Sequence, residues 1–526
     1  MEFLLLASVA LVVIVAVAAF SNRIGIATPL ILVFVGVALS FVPGAPRIEF
    51  EPEFILLGVL PPILYGAAVN TPIVDFRRNL RAITGLGVVL VIISTFASGL
   101  VLYWLLPDLS LPGAIALGAV ISPPDAVAAT SIAKRVGLPP RLVTVLEGES
   151  LINDATALVT LRTAIAATAG AVSFWGVLGD FVYAAAVAAV LGFVVGWLGV
   201  LVRARLADPV LTTAISFAVP FLAYLPAEQV HASGVIAVVV AGLVTGNESA
   251  KRFSAQDRIS ERINWRTVQF VLENGVFLFM GYELWTFVEA ADSGFGVWNA
   301  IRIGLAATAT LVIVRYLFMI PLVASLRLQA KQADEQRDRF GAFTRRVPMG
   351  LGRRLRRTRR DRRRPDGATL RIRQRKNDLD FAAAEQFSWR GGAVLGWAGM
   401  RGVVTLAAAV GLPSDLPYRP QLILIAFVVA IVTLIGQGAT LPAMIRLVRL
   451  PRTDRQTTRM RLASLFDELS EAARVRLEDP DLEQPDGRPY DPQVVQRVRD
   501  ASLLPSSEVW EQYRSRGESG PNQQYR

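Results

Sequence analysis

Two short stretches of this sequence place carboxylates inside long apolar blocks. SPPDAVAA (residues 122–129) carries Asp125 near the middle of one block, and EGESLINDATAL (residues 147–158) opens the next. An ionised side chain inside a bilayer is costly unless it is paired or hydrated, so each such residue marks a candidate functional site. The chemistry to consider first is therefore that of buried carboxylates.

The second stretch concentrates oxygen ligands on a helix. Ser150 and Asp154 share one face with Glu147, while Glu149 and Asn153 form a neighbouring row. Such oxygens suit a hard monovalent cation, with water or backbone carbonyls completing its shell, whereas zinc and copper prefer nitrogen or sulfur. We expect Asp154 to be buried and to bind the ion, and Glu147, nearer the end of the block, to be solvated.

The first stretch predicts a broken helix. Pro123 and Pro124 remove two backbone donors and obstruct the preceding turn, so the helix should stop just before Asp125. Irregular backbone at membrane depth is tolerated only where it lies within protein or lines a cavity. One interpretation is an ion site made of unwound carbonyls and a carboxylate. The alternative is a proline kink in which Asp125 only caps a helix.

A third stretch, GWAGMRGVVTLAAA (residues 396–409), places Arg401 between glycines in another apolar block. Glycines permit close packing or unwinding, and a buried arginine needs a carboxylate or carbonyl partner. Glu273 and Arg315 are accessory candidates that belong either to the same core network or to an interface. His231 could sense pH, but its position at the edge of a block favours a surface histidine.

The composition narrows the class of protein. The chain has 526 residues, no cysteine, one histidine, 53% hydrophobic residues, 18% charged residues and a formal net charge of +11. The missing cysteines exclude zinc fingers, thiol catalysis, iron–sulfur clusters and disulfides. The apolar residues form long continuous blocks, which is typical of a polytopic helical membrane protein.

Thirteen blocks are long enough to cross a bilayer, which predicts an all-α membrane protein with about thirteen transmembrane helices. The fifth and twelfth blocks, both interrupted, are seven apart. That spacing fits two inverted six-helix repeats with discontinuous crossing helices around a linker segment. The predicted spans are 4–20, 24–43, 52–69, 83–106, 112–133, 142–168, 174–202, 209–226, 231–246, 265–289, 297–326, 390–411 and 421–447.

The loops between these blocks predict the orientation of the chain. Alternate loops on one side carry thirteen Lys and Arg, whereas those on the other side carry only Arg47 and Arg419. Basic loops mark the cytoplasmic side. We therefore expect a multi-pass membrane protein with its N-terminus outside and its C-terminus in the cytoplasm.

Two regions are predicted to lie outside the membrane. Residues 327–389 form an Arg-rich cytoplasmic loop, expected to be disordered; its segment 327–380 holds nineteen Lys and Arg against seven acids, and so exceeds the net charge of the whole chain. Its run Arg353–Arg364 could bind nucleic acid, but it lacks interleaved aromatics, and attraction to anionic lipid is the simpler interpretation. A cytoplasmic tail, 449–526, contains one amphipathic helix pattern and a Pro-rich end. The helix pattern consists of Leu462, Leu465, Phe466 and Leu469.

The three stretches together resemble the signature segments of the monovalent cation:proton antiporter-1 family, which contains the bacterial and eukaryotic sodium/proton exchangers. The resemblance covers residues 1–326 and 390–448, the two membrane portions of the chain. The Asn153–Asp154 pair is its most specific element. The resemblance implies the sodium/proton antiporter fold, a homodimer and elevator-like alternating access.

The resemblance also implies roles for individual residues. Asp154 maps onto the ion-binding aspartate, with Asn153 beside it, Ser150 one turn earlier and Asp125 on the crossing helix. Sodium is expected at Asp154, Asp125 and Ser150. No catalytic residue and no cofactor are expected, because the transported ions are the only ligands.

Three further implications follow from the family pattern. Its core ion pair would be Glu149 with Arg401. An Asn-Asp pair, rather than two acids, indicates electroneutral exchange. One departure lies in LPPILYGAA (residues 60–68), where some members carry a glutamate near the ion and this chain offers only Tyr65, Gly66 and alanines.

The expected function is therefore exchange of cytoplasmic Na+, or Li+ or K+, for H+ in pH and cation homeostasis. A potassium/proton antiporter on the same scaffold is an alternative. A gated cation channel is a third hypothesis, but channels build a selectivity filter by oligomeric symmetry, and the sequence contains no pore-loop motif.

Overall fold

The computed structural model describes residues 2–24, 27–42, 54–170, 174–206, 208–292, 296–346, 387–413, 415–450, 455–477, 490–491 and 493–496. All secondary structure in these ranges is helical. The principal helices are α1 Glu2–Ile24, α2 Thr28–Ser40, α3 Phe54–Asn70, α4 Ile73–Arg78, α5 Leu80–Leu105, α6 Leu111–Ile121, α7 Ala126–Val136, α8 Pro140–Ala169, α9 Phe174–Arg203, α10 Pro209–Gln229, α11 Gly234–Arg252, α12 Ala255–Asp292, α13 Val297–Arg346, α14 Trp389–Trp397, α15 Val403–Val410, α16 Arg419–Val448 and α17 Arg455–Leu477.

The apolar blocks of the sequence become these helices. Each predicted span coincides with one helix, except that the fifth divides into α6 and α7 and the twelfth into α14 and α15. Among the described helices, five are long and apolar enough to cross a membrane, and they lie in α5, α9, α10, α13 and α16. The all-helical membrane fold is confirmed, while the count of thirteen crossings stays a prediction.

The largest difference from a predicted boundary is at the end of α13. Helix α13 does not end near residue 326 but continues to Arg346, into the segment expected to be a disordered loop. The residues that follow 326 are rich in Ala, Gln, Glu, Lys and Arg, which favour a helix once it has started. The Arg353–Arg364 run lies outside the described residues.

Beyond residue 450 the chain forms a separate unit. Helix α17 in this unit covers the predicted amphipathic pattern, and Leu465 and Leu469 on it are exposed. Most of the Pro-rich end of the tail lies outside the described residues.

The helices of residues 1–450 pack as two groups. Helices α5 to α8 pack on one another and on α13 to α16, and together they form what we call the crossing bundle. Helices α1 to α3 and α9 to α12 form the companion bundle, in which α2 lies along α12 and α9 lies along α11. The candidate ion-binding residues, which are Asp125 just before α7 and Ser150, Asn153 and Asp154 on α8, all belong to the crossing bundle.

Glycine allows the closest contact within the companion bundle. A Cβ added to Gly36 of α2 would overlap the carbonyl oxygen of Leu278, and one added to Gly281 of α12 would overlap that of Val33. The two backbones therefore touch, which is the usual role of small residues between membrane helices.

Candidate ion-binding site

The first helix break lies where the prolines predict it. Helix α6 ends at Ile121, and α7 begins at Ala126 with Asp125 as its N-cap in an extended conformation. The Oδ1 atom of Asp125 accepts a hydrogen bond from the Val127 N–H at 2.9 Å. Its Oδ2 atom is buried and has no hydrogen-bond partner. Asp125 is thus a helix cap with one carboxylate oxygen left over, so the two interpretations of this residue are compatible.

The second break separates α14 from α15. Helix α14 ends at Trp397, and α15 begins at Val403 without a side-chain cap. Gly402, which precedes α15, lies against the first break, because a Cβ at this position would overlap the Asp125 carboxylate. Only glycine fits between α15 and that carboxylate without displacing it.

The two breaks cross and are bonded to each other. The backbone N–H of Asp125 donates to the carbonyl oxygen of Met400 at 2.5 Å. Unwound backbone has groups that no helix satisfies, and buried polar groups need partners. Here the hydrogen bond between Asp125 and Met400 satisfies one backbone group of each break.

Arg401 completes the crossing. Its Nε donates to the Ile121 carbonyl at 3.1 Å and its Nη2 to the Ser122 carbonyl at 3.4 Å, while Nη1 bonds the Gly399 carbonyl. The guanidinium therefore lies at the C-terminal end of α6, where unpaired carbonyls carry partial negative charge. The Arg401 N–H donates to Thr433 Oγ1 on α16 at 3.0 Å.

The predicted pair of Glu149 with Arg401 is wrong in its partner. Glu149 of α8 receives two hydrogen bonds from Arg315 of α13, Nη1 to Oε1 at 2.6 Å and Nη2 to Oε2 at 2.9 Å. Both side chains are 2% exposed. The planar guanidinium matches the carboxylate in this bidentate arrangement, whereas the donors of Arg401 are taken by carbonyls. Arg315 thus belongs to the core network and not to an interface.

Arg315 also bonds the second break. Its Nε donates to the Leu395 carbonyl near the end of α14 at 3.0 Å. Gly399 lies directly beside the Arg315 side chain, where a Cβ would approach the guanidinium within 3 Å, its Nε at 2.8 Å. Each half-helix that ends at a break therefore has an arginine at its C-terminal carbonyls, Arg401 at α6 and Arg315 at α14.

Asn153 and Asp154 bring α8 against the first break. Asn153 is fully buried, and its Nδ2 donates to the Pro124 carbonyl at 2.5 Å, while its Oδ1 has no partner. Asp154 is 7% exposed and has no hydrogen-bond or ion-pair partner among the described residues. It interacts electrostatically with Asp125. Ser150, one turn earlier, is partly buried.

Three of these residues place oxygen atoms without hydrogen-bond partners in a buried polar site. The atoms are Oδ2 of Asp125, Oδ1 of Asn153 and the carboxylate of Asp154. Unpartnered buried oxygens are costly unless a cation or a proton compensates them. The arrangement can therefore hold a hard monovalent cation or bind protons in its place.

The weaker candidates divide between the core and the surface. Glu273 of α12 is buried, accepts a hydrogen bond from Gln269 Nε2 at 2.6 Å and interacts electrostatically with Asp125. His231 is exposed in the turn between α10 and α11, in agreement with a surface histidine. Glu147 pairs with Lys134 at 2.6 Å and its side chain is 31% exposed, in agreement with a partly solvated end of α8.

Position 66 on α3 offers no carboxylate. Tyr65 is fully buried and its hydroxyl donates to Thr245 Oγ1, while Gly66 faces Trp265. At the place where some family members carry a glutamate, this chain therefore packs aromatic side chains.

Sequence reasoning did not find two threonines that hold the breaks. Thr433 accepts from the Arg401 N–H, and Thr95 of α5 shares a hydrogen bond with Ser122 at 2.9 Å between their hydroxyls. Both threonines are buried. Threonine is common in membrane helices, so the only available signal was a hydroxyl in an apolar block, which did not distinguish them.

Comparison with known proteins places the chain in a family. A model of the transmembrane sodium/hydrogen exchanger family matches residues 8–447. An uncharacterized Na+/H+ exchanger of Mycobacterium bovis is 30% identical over 87% of this chain and 77% of its own length. A sodium, potassium, lithium and rubidium/H+ antiporter of Bacillus pumilus is 31% identical over 59% of this chain and 48% of its own length.

The fold has a solved counterpart. The sodium proton antiporter MjNhaP1 of Methanocaldococcus jannaschii superimposes with a TM-score of 0.61 at 17% identity, covering 85% of this chain and all of that one. At this identity the likeness concerns the fold alone, and it confirms the predicted antiporter fold. The relatives are antiporters and not enzymes, and the match of the family model over most of the membrane region shows that the chain belongs to the sodium/hydrogen exchanger family.

Proposed function

We propose that this protein is a secondary active antiporter that exchanges cytoplasmic Na+ for H+ by alternating access. Asp154 binds either ion in turn, assisted by Asp125 and by oxygens of Asn153 and Ser150. The observation that carries the proposal is the buried, unpartnered carboxylate of Asp154 beside the free Oδ2 of Asp125 at the crossing of two broken helices.

Competition at one site couples the two ions. With neither ion bound, Asp125 and Asp154 present two negative charges, which cross an apolar barrier only at high cost. A bound cation or proton lowers that charge and lets the loaded site change sides. No separate sensor is required for this coupling.

The choice of cation depends on which ligands surround the site. The site has no carboxylate from α3, because Tyr65 and Gly66 occupy that place. The Bacillus pumilus relative is named for transport of four alkali cations. We propose Na+ as the main cation, and K+ is the alternative that the same measurement tests.

Electroneutral exchange is the proposed stoichiometry. Asn153 occupies the place of a second acid, and its amide is committed to the Pro124 carbonyl. With a neutral side chain there, one cation for one proton is the expected exchange. A potassium diffusion potential across the vesicle should then leave the rate unchanged, and acceleration by an inside-negative or inside-positive potential would contradict electroneutrality.

The central experiment uses purified protein in liposomes, with proton flux followed while Na+, Li+ and K+ are added in turn. The wild type should show saturable cation-dependent flux, and Asp154→Asn should remove it while inserting and purifying normally. Retained flux in Asp154→Asn, or single-channel currents from the wild type, would contradict the proposal.

The orientation and the assembly are part of the same proposal. We propose an N-terminus outside, a C-terminus in the cytoplasm of a bacterial inner membrane, and a homodimer. Because the chain has no cysteine, single cysteines introduced near Arg47 and Arg205 can report sidedness to an impermeant thiol reagent in whole cells. Labelling near Arg205 and protection near Arg47 would reverse the proposed orientation.

The Arg353–Arg364 run is proposed to contact anionic lipid headgroups. Each basic residue near such a surface contributes about 1 kcal/mol of attraction. Replacing its arginines by glutamine should leave exchange in neutral liposomes intact and remove any difference between neutral and anionic liposomes. Loss of all exchange in a correctly inserted variant would instead place the run in the transport machinery.

A further inference from the structure

One ion pair joins the helix that carries Asp154 to the companion bundle. Arg162 of α8 donates from Nη2 to Glu228 Oε2 at the end of α10, at 2.7 Å. Helix α8 packs mainly on other helices of the crossing bundle, whereas α10 packs on α9 and α11. The pair is therefore one of the contacts between the two groups of helices, which also meet where α12 packs on α16 and where α8 packs on α11.

Glu228 is held on the companion bundle without help from Arg162. Its Oε1 accepts from the Gly234 N–H at the start of α11 at 2.9 Å. The same turn is bonded to α9, because the Tyr183 hydroxyl donates to the Val230 carbonyl at 3.2 Å and the Ser233 N–H donates to the Ala184 carbonyl at 3.3 Å. The carboxylate is therefore a fixed point of the companion bundle.

Arg162 lies on the same helix as Asp154. It lies eight residues beyond Asp154 on the same uninterrupted helix, about 12 Å along the axis at 1.5 Å per residue. The Arg162 side chain is 51% exposed and that of Glu228 is 23% exposed. A partly exposed pair of this kind is weaker than a fully buried one, so it can be opened repeatedly.

We propose that the Arg162–Glu228 pair is a further functional pair of the exchange reaction: it holds α8 to the companion bundle in the state described here and opens in every transport cycle. This inference rests on the proposed function, since it requires the crossing bundle to move relative to the companion bundle. It assigns to these two residues an influence on turnover, while binding of the ion stays with Asp154.

A second ion pair provides a matched control. Lys134 and Glu147 lie 2.6 Å apart but join α7 to α8, both in the crossing bundle. If the bundle moves as a unit, this pair keeps its distance through the cycle. The two pairs therefore differ in the one property that the proposal concerns.

Cross-linking separates the two cases, and the absence of native cysteine gives a clean background. The variants are Arg162→Cys with Glu228→Cys, and Lys134→Cys with Glu147→Cys, each treated in liposomes with a short bifunctional methanethiosulfonate reagent. The linked Arg162–Glu228 variant should lose cation-dependent proton flux and recover it on reduction, whereas the linked control should retain flux. Equal flux in the two linked variants would overturn the proposal.

Charge removal gives an independent measurement. Arg162→Gln and Glu228→Gln should each change the turnover rate by roughly two- to fivefold, in the range of an exposed ion pair, with little change in the apparent affinity for the cation. Glu228→Gln keeps the acceptor for Gly234, so its effect reports the lost ion pair. Arg162 also shares a hydrogen bond with Tyr224 of α10, so the double variant should match Arg162→Gln, which already removes the ion pair.

The outcome of a failed test identifies what failed. If the untreated cysteine variants and the wild type all lack cation-dependent proton flux, the proposed function is wrong. If they are active but the two glutamine substitutions act additively, or change affinity and not turnover, the pair has no role in the cycle.

Discussion

The two helix breaks of the crossing bundle meet the same requirement with different residues. The first break has two prolines, a carboxylate that caps the next helix and an asparagine from α8 on the Pro124 carbonyl. The second has glycines, no side-chain cap and an arginine whose donors reach back to α6. The first break contributes negative charge to the crossing, and the second contributes positive charge.

Each break is therefore incomplete without the other. The backbone of Asp125 bonds Met400, and Arg401 lies at the end of α6. Unwound backbone at membrane depth must be satisfied by protein, and here much of the satisfying protein is the opposite break. A substitution in one break should therefore alter the structure of the other break. The following substitutions test this expectation.

The largest effect is expected from Gly402→Ala. The new Cβ would overlap the Asp125 carboxylate, so the second break would displace the charged residue of the first. Misplacement of a functional group by about 1 Å can cost on the order of a hundredfold in rate, and a loss of that size is expected in liposome flux.

Gly436→Ala is the control for this substitution. Nothing lies within 4 Å of a Cβ at Gly436 on α16, and alanine favours a helix over glycine by about 1 kcal/mol. This variant should keep its flux and unfold at an equal or higher temperature. Equal flux in Gly402→Ala and Gly436→Ala would show that the breaks do not depend on each other.

Asp125→Asn separates the charge of the first break from its cap. Asparagine keeps an oxygen for the Val127 N–H but loses the negative charge, so apparent cation affinity should fall about tenfold, equivalent to about 1.4 kcal/mol of binding. Thermal stability should be retained. Asp125→Ala should lose about 1 kcal/mol of stability in addition, the usual cost of removing an N-cap; equal stability of the two variants would mean that the cap contributes nothing.

Thr433→Val removes the acceptor of the Arg401 N–H in the second break. A buried donor left without a partner costs about 1–3 kcal/mol, which should appear as a lower unfolding temperature and a several-fold loss of flux. Thr433→Ser restores the hydroxyl and should recover both. A serine variant as impaired as the valine variant would point to packing of the methyl group as the cause.

The smallest effect is expected from Ser122→Ala in the first break. It removes a hydrogen bond between two neutral hydroxyls, those of Ser122 and Thr95, which contributes about 1 kcal/mol. Flux should stay within about twofold of the wild type, since the prolines still interrupt the helix. A loss of flux larger than that in Thr433→Val would mean that the first break depends more on a single hydroxyl than the second break does.

The sequence predicted the first break better than the second. Pro123 and Pro124 act locally, because a missing donor and a steric clash need no tertiary context. Gly402 and Arg401 marked a second irregular region, but its bonds are tertiary. Which carbonyls Arg401 bonds depends on the approach of α6, which no local pattern encodes.

The predicted pairing of Glu149 with Arg401 was wrong for the same reason, because the actual contact is tertiary. Two buried arginines, Arg315 and Arg401, were available to one buried glutamate, and charge alone does not choose between them. The choice follows from packing, since α13 lies beside α14 and brings Arg315 to α8. Ser150, Asn153 and Asp154 needed no such information, because their spacing places them close together on α8. The contact of α8 with Pro124 is again tertiary, and Asp125 was linked to Asp154 only through the family resemblance.

The contact of α2 with α12 has a mechanical consequence. Where Gly36 and Gly281 let the two backbones touch, each backbone sits in a notch of the other, and sliding along the contact would force side chains of neighbouring turns into that space. The two helices should therefore move as one rigid unit. A rigid pair of this kind would give the helices that carry Asp125 and Asp154 a fixed surface to move against, as the proposed alternating access requires.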